Sequence, residues 1–210
     1  MKNLVILISL SLAIATGCQK DSVTVHHVNP ALLSAYGFNK GTYWIYQDSM
    51  SGVTDSFAIV FPPYINQSTG GNIINDYYNY TISIFRNNEK IFSWDVSLMD
   101  TSFFMECLNS PVESQITYQL FNYPIYPNQQ LQPYDSGGVT NITSNYTNYG
   151  INFSNVASIH HYNRSINDKS PEHDDWFYTA DNIGFVKIVF NHPQDSVYRN
   201  WNLLRYHIVK

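Results

Sequence analysis

Tyr77-Tyr78-Asn79-Tyr80-Thr81-Ile82-Ser83-Ile84-Phe85-Arg86, then Asn87-Asn88, then Lys90-Ile91-Phe92-Ser93-Trp94-Asp95-Val96-Ser97-Leu98, is the stretch that decides the fold. Side chains of a strand alternate between its two faces. Tyr78, Tyr80, Ile82 and Ile84 therefore share one face, and Asn79, Thr81 and Ser83 lie on the other. In the second run Phe92, Trp94, Val96 and Leu98 form the apolar set. Asn tolerates positive φ, so Asn87-Asn88 suits a two-residue hairpin turn. The spacing predicts two long antiparallel strands with one face in a core.

The same alternation extends outward. Thr42, Trp44 and Tyr46 oppose Tyr43, Ile45 and Gln47, and Ser49-Met50-Ser51-Gly52 is a turn. Phe57, Ile59 and Phe61 are expected inward on the returning strand, which Pro62-Pro63 stops. Residues 66 to 75, rich in Gly, Ser and Asn, read as a loop. Residues 101–107 and 115–122 give two more strands. Tyr123-Pro124-Ile125-Tyr126-Pro127-Asn128 through Gln132-Pro133-Tyr134 reads as extended surface chain rather than strand. Residues 137–149 and 151–162 form an Asn/Thr/Tyr-rich pair, and 163–175 a polar loop. Residues 176–179, 183–190 and 197–209 close the chain as a meander, with a turn over 191–194. Before the sheet, Asn29 can cap and Pro30 can start a short helical turn that ends at Gly37. The fold class is all-β: a single antiparallel β-sandwich or a curved, partly closed barrel, with a short N-terminal helical turn. Periodicity does not choose between the two.

Composition agrees. Tyr occurs 17 times against 4 Met, a bias toward strands. Charged residues make up 13%, where about a quarter is usual, so solubility rests on Asn, Ser, Thr, Gln and Tyr. The net charge of −5 and the lack of a basic run give no basis for nucleic-acid binding.

The N-terminus is of another kind. Met1-Lys2-Asn3 is a basic start. Leu4 to Ala15 is an apolar run of signal-peptide length, too short to cross a bilayer comfortably. Ala15-Thr16-Gly17-Cys18 resembles the bacterial lipobox, with Ala15 where Leu is commonest. Gln19-Lys20-Asp21-Ser22 resembles the surface-export run of Bacteroidota-type lipoproteins. Two further patterns are similar to uncharacterised lipoproteins of that type. One is Gly41-Thr42-Tyr43-Trp44-Ile45-Tyr46 followed by Asp55-Ser56. The other is Asn182-Ile183-Gly184-Phe185-Val186-Lys187 followed by Trp201-Asn202-Leu203-Leu204-Arg205-Tyr206.

The resemblance implies a signal peptide over residues 1–17 and lipidation of Cys18. It also implies a lipidated tether over residues 18–28, a single β-rich domain over 29–210, and residence on the outer membrane, facing out. A periplasm-facing tether is the alternative. The Asn-x-Ser/Thr triplets at Asn66, Asn79, Asn141, Asn145, Asn152 and Asn163 then read as chance in an Asn-rich chain. With Cys18 committed to lipid, Cys107 stands alone in an apolar neighbourhood and reads as a buried, inert thiol.

Chemistry-bearing residues are few. His160-His161 with His173-Asp174-Asp175 is the only cluster with metal-ligand residue types. Adjacent histidines on a strand point to opposite faces, so a site would need one of them plus His173 or Asp175. His161, His173 and Asp175 are the weak candidates, and a solvated polar loop is the plainer reading. Glu172 with Asp174 or Asp175 does not provide two carboxylates facing across a cleft. There is no Gly-x-Ser-x-Gly elbow, phosphate-cradling loop or His-Glu-x-x-His motif. No cofactor is expected. Tyr123, Tyr126 and Tyr134 are the candidate binding residues, because tyrosine offers an apolar face and a polar tip to a sugar or a protein. The expected function is a non-catalytic glycan- or protein-binding module anchored in the membrane through its N-terminal lipid. A structural component of an envelope complex, or a surface-tethered hydrolase, are the alternatives.

Overall fold

The computed structural model describes residues 22–108, 116–131, 136–163, 173–192 and 197–210. Cys18, the lipobox, Gln19 to Asp21 of the export-like run, Glu172 and Tyr134 lie outside the described residues.

The strands are β1 (Thr24–His26), β2 (Tyr43–Asp48), β3 (Thr54–Ala58), β4 (Tyr64–Gly70), β5 (Ile73–Arg86), β6 (Glu89–Met99) and β7 (Ser102–Leu108). They continue with β8 (Ile116–Asn122), β9 (Gln129–Gln130), β10 (Ser136–Asn148), β11 (Ile151–Asn163), β12 (His173–Ala180), β13 (Gly184–His192) and β14 (Val197–His207). One helix among the described residues, α1 (Pro30–Tyr36), precedes β2. The sheet runs β8-β7-β6-β5-β3-β2-β14-β13-β12-β11-β10-β9, every neighbouring pair antiparallel. Its two ends curl together, with β8 in contact with β10 and β11. Of the two architectures the alternation allows, the barrel is the one formed.

The hairpin of residues 77–98 has the expected register, with Ile82 opposite Trp94 and Ile84 opposite Phe92. Asn87 and Asn88 both have positive φ, 52° and 68°. Ile82, Ile84, Phe92, Trp94, Val96 and Leu98 are buried. Trp94 sits at the centre of an aromatic core, its ring centroid 5.0 Å from Phe57, 5.8 Å from Phe190 and 6.3 Å from Trp201. Tyrosines serve such a core because their tips can reach backbone oxygens. Tyr46 donates to Phe185 O at 2.6 Å, and Trp44 Nε1 donates to Ile183 O at 2.6 Å.

Helix α1 plugs one end. Asn29 Oδ1 accepts from the Ala31 and Leu32 N–H groups, and Pro30 occupies the first turn. Leu32, Ala35, Tyr36 and Phe38 are buried. The Tyr80 and Tyr78 hydroxyls donate to Tyr36 O and Phe38 O, each at 3.1 Å, so strand β5 pins the plug. Lys210 Nζ donates to Ser34 O and Ala35 O at 2.8 Å and lies 4.3 Å over the Phe38 ring. This satisfies carbonyls that a helix end leaves open. Partial burial lowers the Lys210 pKa to about 8, against the pull of Asp181.

Several expectations are corrected. Phe61 is exposed rather than inward, because β3 ends at Ala58 and the chain turns away before Pro62-Pro63. Residues 66–75 are not a loop: β4 and the first half of β5 form a hairpin closed by Gly71 at φ 60°. All seven residues of β4 are exposed, so pairing rather than burial makes it a strand, and composition gave no sign of it. Residues 24–26, within the expected tether, form β1 and pair parallel with β5. Gln129–Gln130 is a strand inside the Tyr/Pro stretch, and His173–Asp175 begins β12 instead of ending a loop.

Candidate functional site

The barrel end opposite α1 carries the buried carboxylates Asp48, Asp55 and Asp175. Asp175 is fully buried and accepts three hydrogen bonds: from the Tyr118 hydroxyl at 2.8 Å, the Asn191 N–H at 3.0 Å, and His192 Nε2 at 3.0 Å. His192 Nδ1 has no hydrogen-bond partner among the described residues. His161 lies directly across from Asp175 in the β11–β12 register and is buried. His173 is two residues before Asp175 on the same strand face, with its ring 5.8 Å from that of His192 and 6.0 Å from that of Tyr118.

Strand pairing therefore brings His161, His173 and Asp175 together and adds Tyr118 and His192. Among the described residues no group of three or more His, Cys, Asp or Glu has the geometry to hold a metal ion. The reason is visible in Asp175, whose two oxygens are occupied by protein donors. Burial, and then the neighbouring His173, lower the His161 pKa to about 4, with Asp175 and the Gln119 backbone opposing. At neutral pH the imidazole is uncharged. Gly137 stands opposite His161, and a Cβ there would meet His161 Nδ1 at 2.7 Å, so the glycine makes room for the ring. Cys107 is buried nearby, and burial, then the charges of Asp175 and Glu106, push its thiol well above the usual range. A thiol so held is not a nucleophile.

Two more buried aspartates at this end are satisfied in the same way. Asp55 accepts from Arg86 Nε and Nη2, both at 2.8 Å, and from Trp201 Nε1 at 2.9 Å. Asp48 accepts from Ser51 Oγ at 2.7 Å and from the Met50 and Asn200 N–H groups at 3.2 Å. Burial opposes the Asp48 charge, yet Ser51, Met50, Asn200 and Arg199 together hold its pKa below the usual carboxylate range. These three carboxylates hold strands in register.

The outer wall offers a different surface. His160 and Trp176 are cross-strand partners with rings stacked at 4.1 Å and 11°. Tyr162 lies 5.1 Å from His160, Tyr178 6.4 Å from Trp176, and Tyr146 5.8 Å from Tyr178. Lys187 Nζ sits 5.4 Å over Tyr178, and His160 Nε2 contacts Asp174 at 2.6 Å. The row follows from alternation: Ile159, His161, Asp175 and Phe177 point inward, so His160, Tyr162, Trp176 and Tyr178 point out. At its His160–Tyr162 end a surface groove of about 420 Å³ opens, lined also by Asn128, Gln130, Gly138 and Thr140. Its walls combine amides, a hydroxyl and aromatic edges with the apolar Leu131 and Val139, over bare glycine backbone.

The candidate tyrosines are placed apart. Tyr123 folds against the plug, 6.5 Å from the Tyr36 ring, with its hydroxyl 3.4 Å from Asp181 Oδ2. Tyr126 is exposed. The sequence reading does not assemble the groove residues His160 and Tyr162 with the adjacent Trp176 into one surface. The outward parity of His160, Tyr162, Trp176 and Tyr178 was the available signal.

No protein-family model matches the sequence, and no curated protein does. Among solved structures, the chain is similar to a candidate lipoprotein from Parabacteroides distasonis at 11% identity and a TM-score of 0.49, covering 82% of this chain and 99% of that one. Similarity at this level supports no statement about what the present chain does.

Proposed function

We propose that the protein is a lipid-anchored envelope lipoprotein, held in the outer membrane through Cys18 and facing outward, whose barrel is a non-catalytic binding module for neutral glycan. The groove beside the His160–Trp176–Tyr178 row carries this reading. Uncharged donors and acceptors next to aromatic rings match a sugar, which has hydroxyls at its edge and C–H groups on its faces. The lining residues named above include no carboxylate, and the buried aspartates are saturated by protein donors. Both features favour binding over hydrolysis. The lipobox and the export-like run support the address.

The test is a glycan array probed with the purified full-length protein, beside Tyr162→Ala and Trp176→Ala. We expect retention of a defined glycan class and at least a tenfold loss in either variant, the scale of about 1.4 kcal/mol of stacking. Silence of the parent protein on every glycan, with a protein captured instead from the native envelope, overturns the glycan reading. For the address, Cys18→Ser should lose radiolabelled palmitate. Replacing Lys20-Asp21 with Ala-Ala should remove protease accessibility on whole cells.

A further inference from the structure

The β4–β5 hairpin is longer than the barrel needs. β5 pairs with β6 from Tyr77 onward, so residues 73–76 carry the strand past the barrel sheet by about 13 Å at the usual rise per residue. β4 lies along one side of this extension and β1 along the other, making a three-stranded arm. The arm leaves the barrel at the plugged end: Tyr77 pairs with Met99, and the following turn accepts the Asn29 N–H at Asp100 O, 2.7 Å.

The direction of β1 matters most. It is parallel to β5, with Thr24 opposite Ile73 and His26 opposite Asn75, and Thr24 N donates to Asn72 O at 2.8 Å. The chain therefore reaches the arm at its tip and runs back toward the barrel. Cys18 is six residues before Thr24, within about 20 Å of the tip even when fully extended. The tip carries Val23, Val25 and Ile73, which are 58%, 41% and 45% exposed. No charged residue occurs from Ser22 to His26 or from Tyr64 to Asn75. Among the described residues the carboxylate next in sequence to these stretches, Asp76, is occupied by His27 at 2.5 Å and Gln67 at 2.8 Å.

We propose that the tip of this arm seats on the lipid surface that holds Cys18, so that the arm is a rigid strut between bilayer and barrel. The inference rests on the lipid-anchor clause of the proposed function and is independent of the ligand. A short uncharged end bearing β-branched apolar side chains, with backbone amides and Asn, Ser and Thr around it, suits the headgroup–acyl boundary. The anchor's position commits the occupant: whatever membrane takes the lipid is within reach of the tip. The strut directs the opposite barrel end, with the groove on the wall near it, away from the membrane.

The test uses full-length protein carrying Ile73→Cys or, at the far turn, Asn87→Cys, each labelled with an environment-sensitive fluorophore. Both are reconstituted into phosphatidylethanolamine/phosphatidylglycerol vesicles with doxyl-lipid quencher. We expect a blue shift and loss of emission at position 73 and neither at 87. A water-like, unquenched label at 73 in protein that carries palmitate overturns the strut while leaving the anchor intact. Protein lacking palmitate that fails to join vesicles overturns the anchor reading itself. Emission at 73 that changes with protein density and not with doxyl lipid assigns the tip to a second copy, and also overturns the proposal. Val25→Ser with Ile73→Ser, both at exposed positions, should abolish the quenching of a label placed at Asn72→Cys.

Discussion

The two ends of the barrel are closed by opposite means. At one end Leu32, Ala35, Tyr36 and Phe38 fill the opening with apolar volume, and the tyrosine hydroxyls of β5 tie it down. At the other end Asp48, Asp55 and Asp175 are buried and each gathers donors from neighbouring strands. The plug gains stability by removing apolar surface from water. The polar end gains little net energy from its bonds but loses heavily when one partner is removed, because a buried charge is then stranded. The first end should therefore respond to volume and the second to chemical identity.

Arg86 offers the largest expected effect. Arg86→Met keeps much of the side-chain volume but strands Asp55, and should cost about 4 kcal/mol in denaturant unfolding. Leu32→Met keeps volume in the plug and should cost less than about 1.5 kcal/mol, while Leu32→Ala should cost about 3 kcal/mol. If Arg86→Met proves as mild as Leu32→Met, the distinction between the ends fails.

Acid should separate the ends next. The folded pKa of His161 is about 4, against about 6.5 for a free histidine. Between these values the unfolded chain binds a proton that the folded chain does not, so stability falls as pH drops from about 6.5 and levels off near 4. The loss amounts to about 3 kcal/mol. The depressed Asp48 carboxylate acts in a lower window: its stabilisation is present above the unfolded carboxylate pKa and is lost as pH falls through the folded one. His161→Phe should flatten the upper window and leave the lower. An unchanged slope between pH 6.5 and 4 in that variant sinks this account.

Much of this was legible in the sequence. The hairpin of residues 77–98 was readable because both strands keep strict alternation and Asn-Asn supplies the turn. The plug was readable from Asn29-Pro30. The buried aspartates had a signal as well: Asp48 shares parity with Trp44 and Tyr46, Asp55 with Phe57 and Ile59, and Asp175 with Phe177. A charge at an inward position must find partners. Which partners it finds depends on register between distant strands, and this hid Arg86, Tyr118 and His192. The arm was hidden for another reason. Its strands bury little, so no hydrophobic period marks them, and their polar residues look like a loop. The groove needs β9, β10 and β11 side by side, a juxtaposition that no local pattern encodes.

The seam of the barrel lies between these two modes of closure and gives the most local expected effect. β9 pairs with β10, but no ladder joins it to β8. The Gln129 side chain does that work: its Oε1 accepts the Asn122 N–H at 2.9 Å and its Nε2 donates to Asn122 O at 2.8 Å. One buried amide thus imitates a strand's pair of hydrogen bonds and joins the sheet's two ends. Gly138 is required beside it, since a Cβ there would lie 2.3 Å from Gln129 O. Gln129→Ala leaves two backbone groups unpaired and should cost about 2 kcal/mol. Because β8 to β10 is the only gap in the ring of paired strands among the described residues, the loss should be local. Amide exchange should accelerate at Asn122 and along β9 while the 77–98 hairpin stays protected. Uniform acceleration across the barrel would instead mean that Gln129 supports the whole core, and the seam would not be a separate weak point between the two ends.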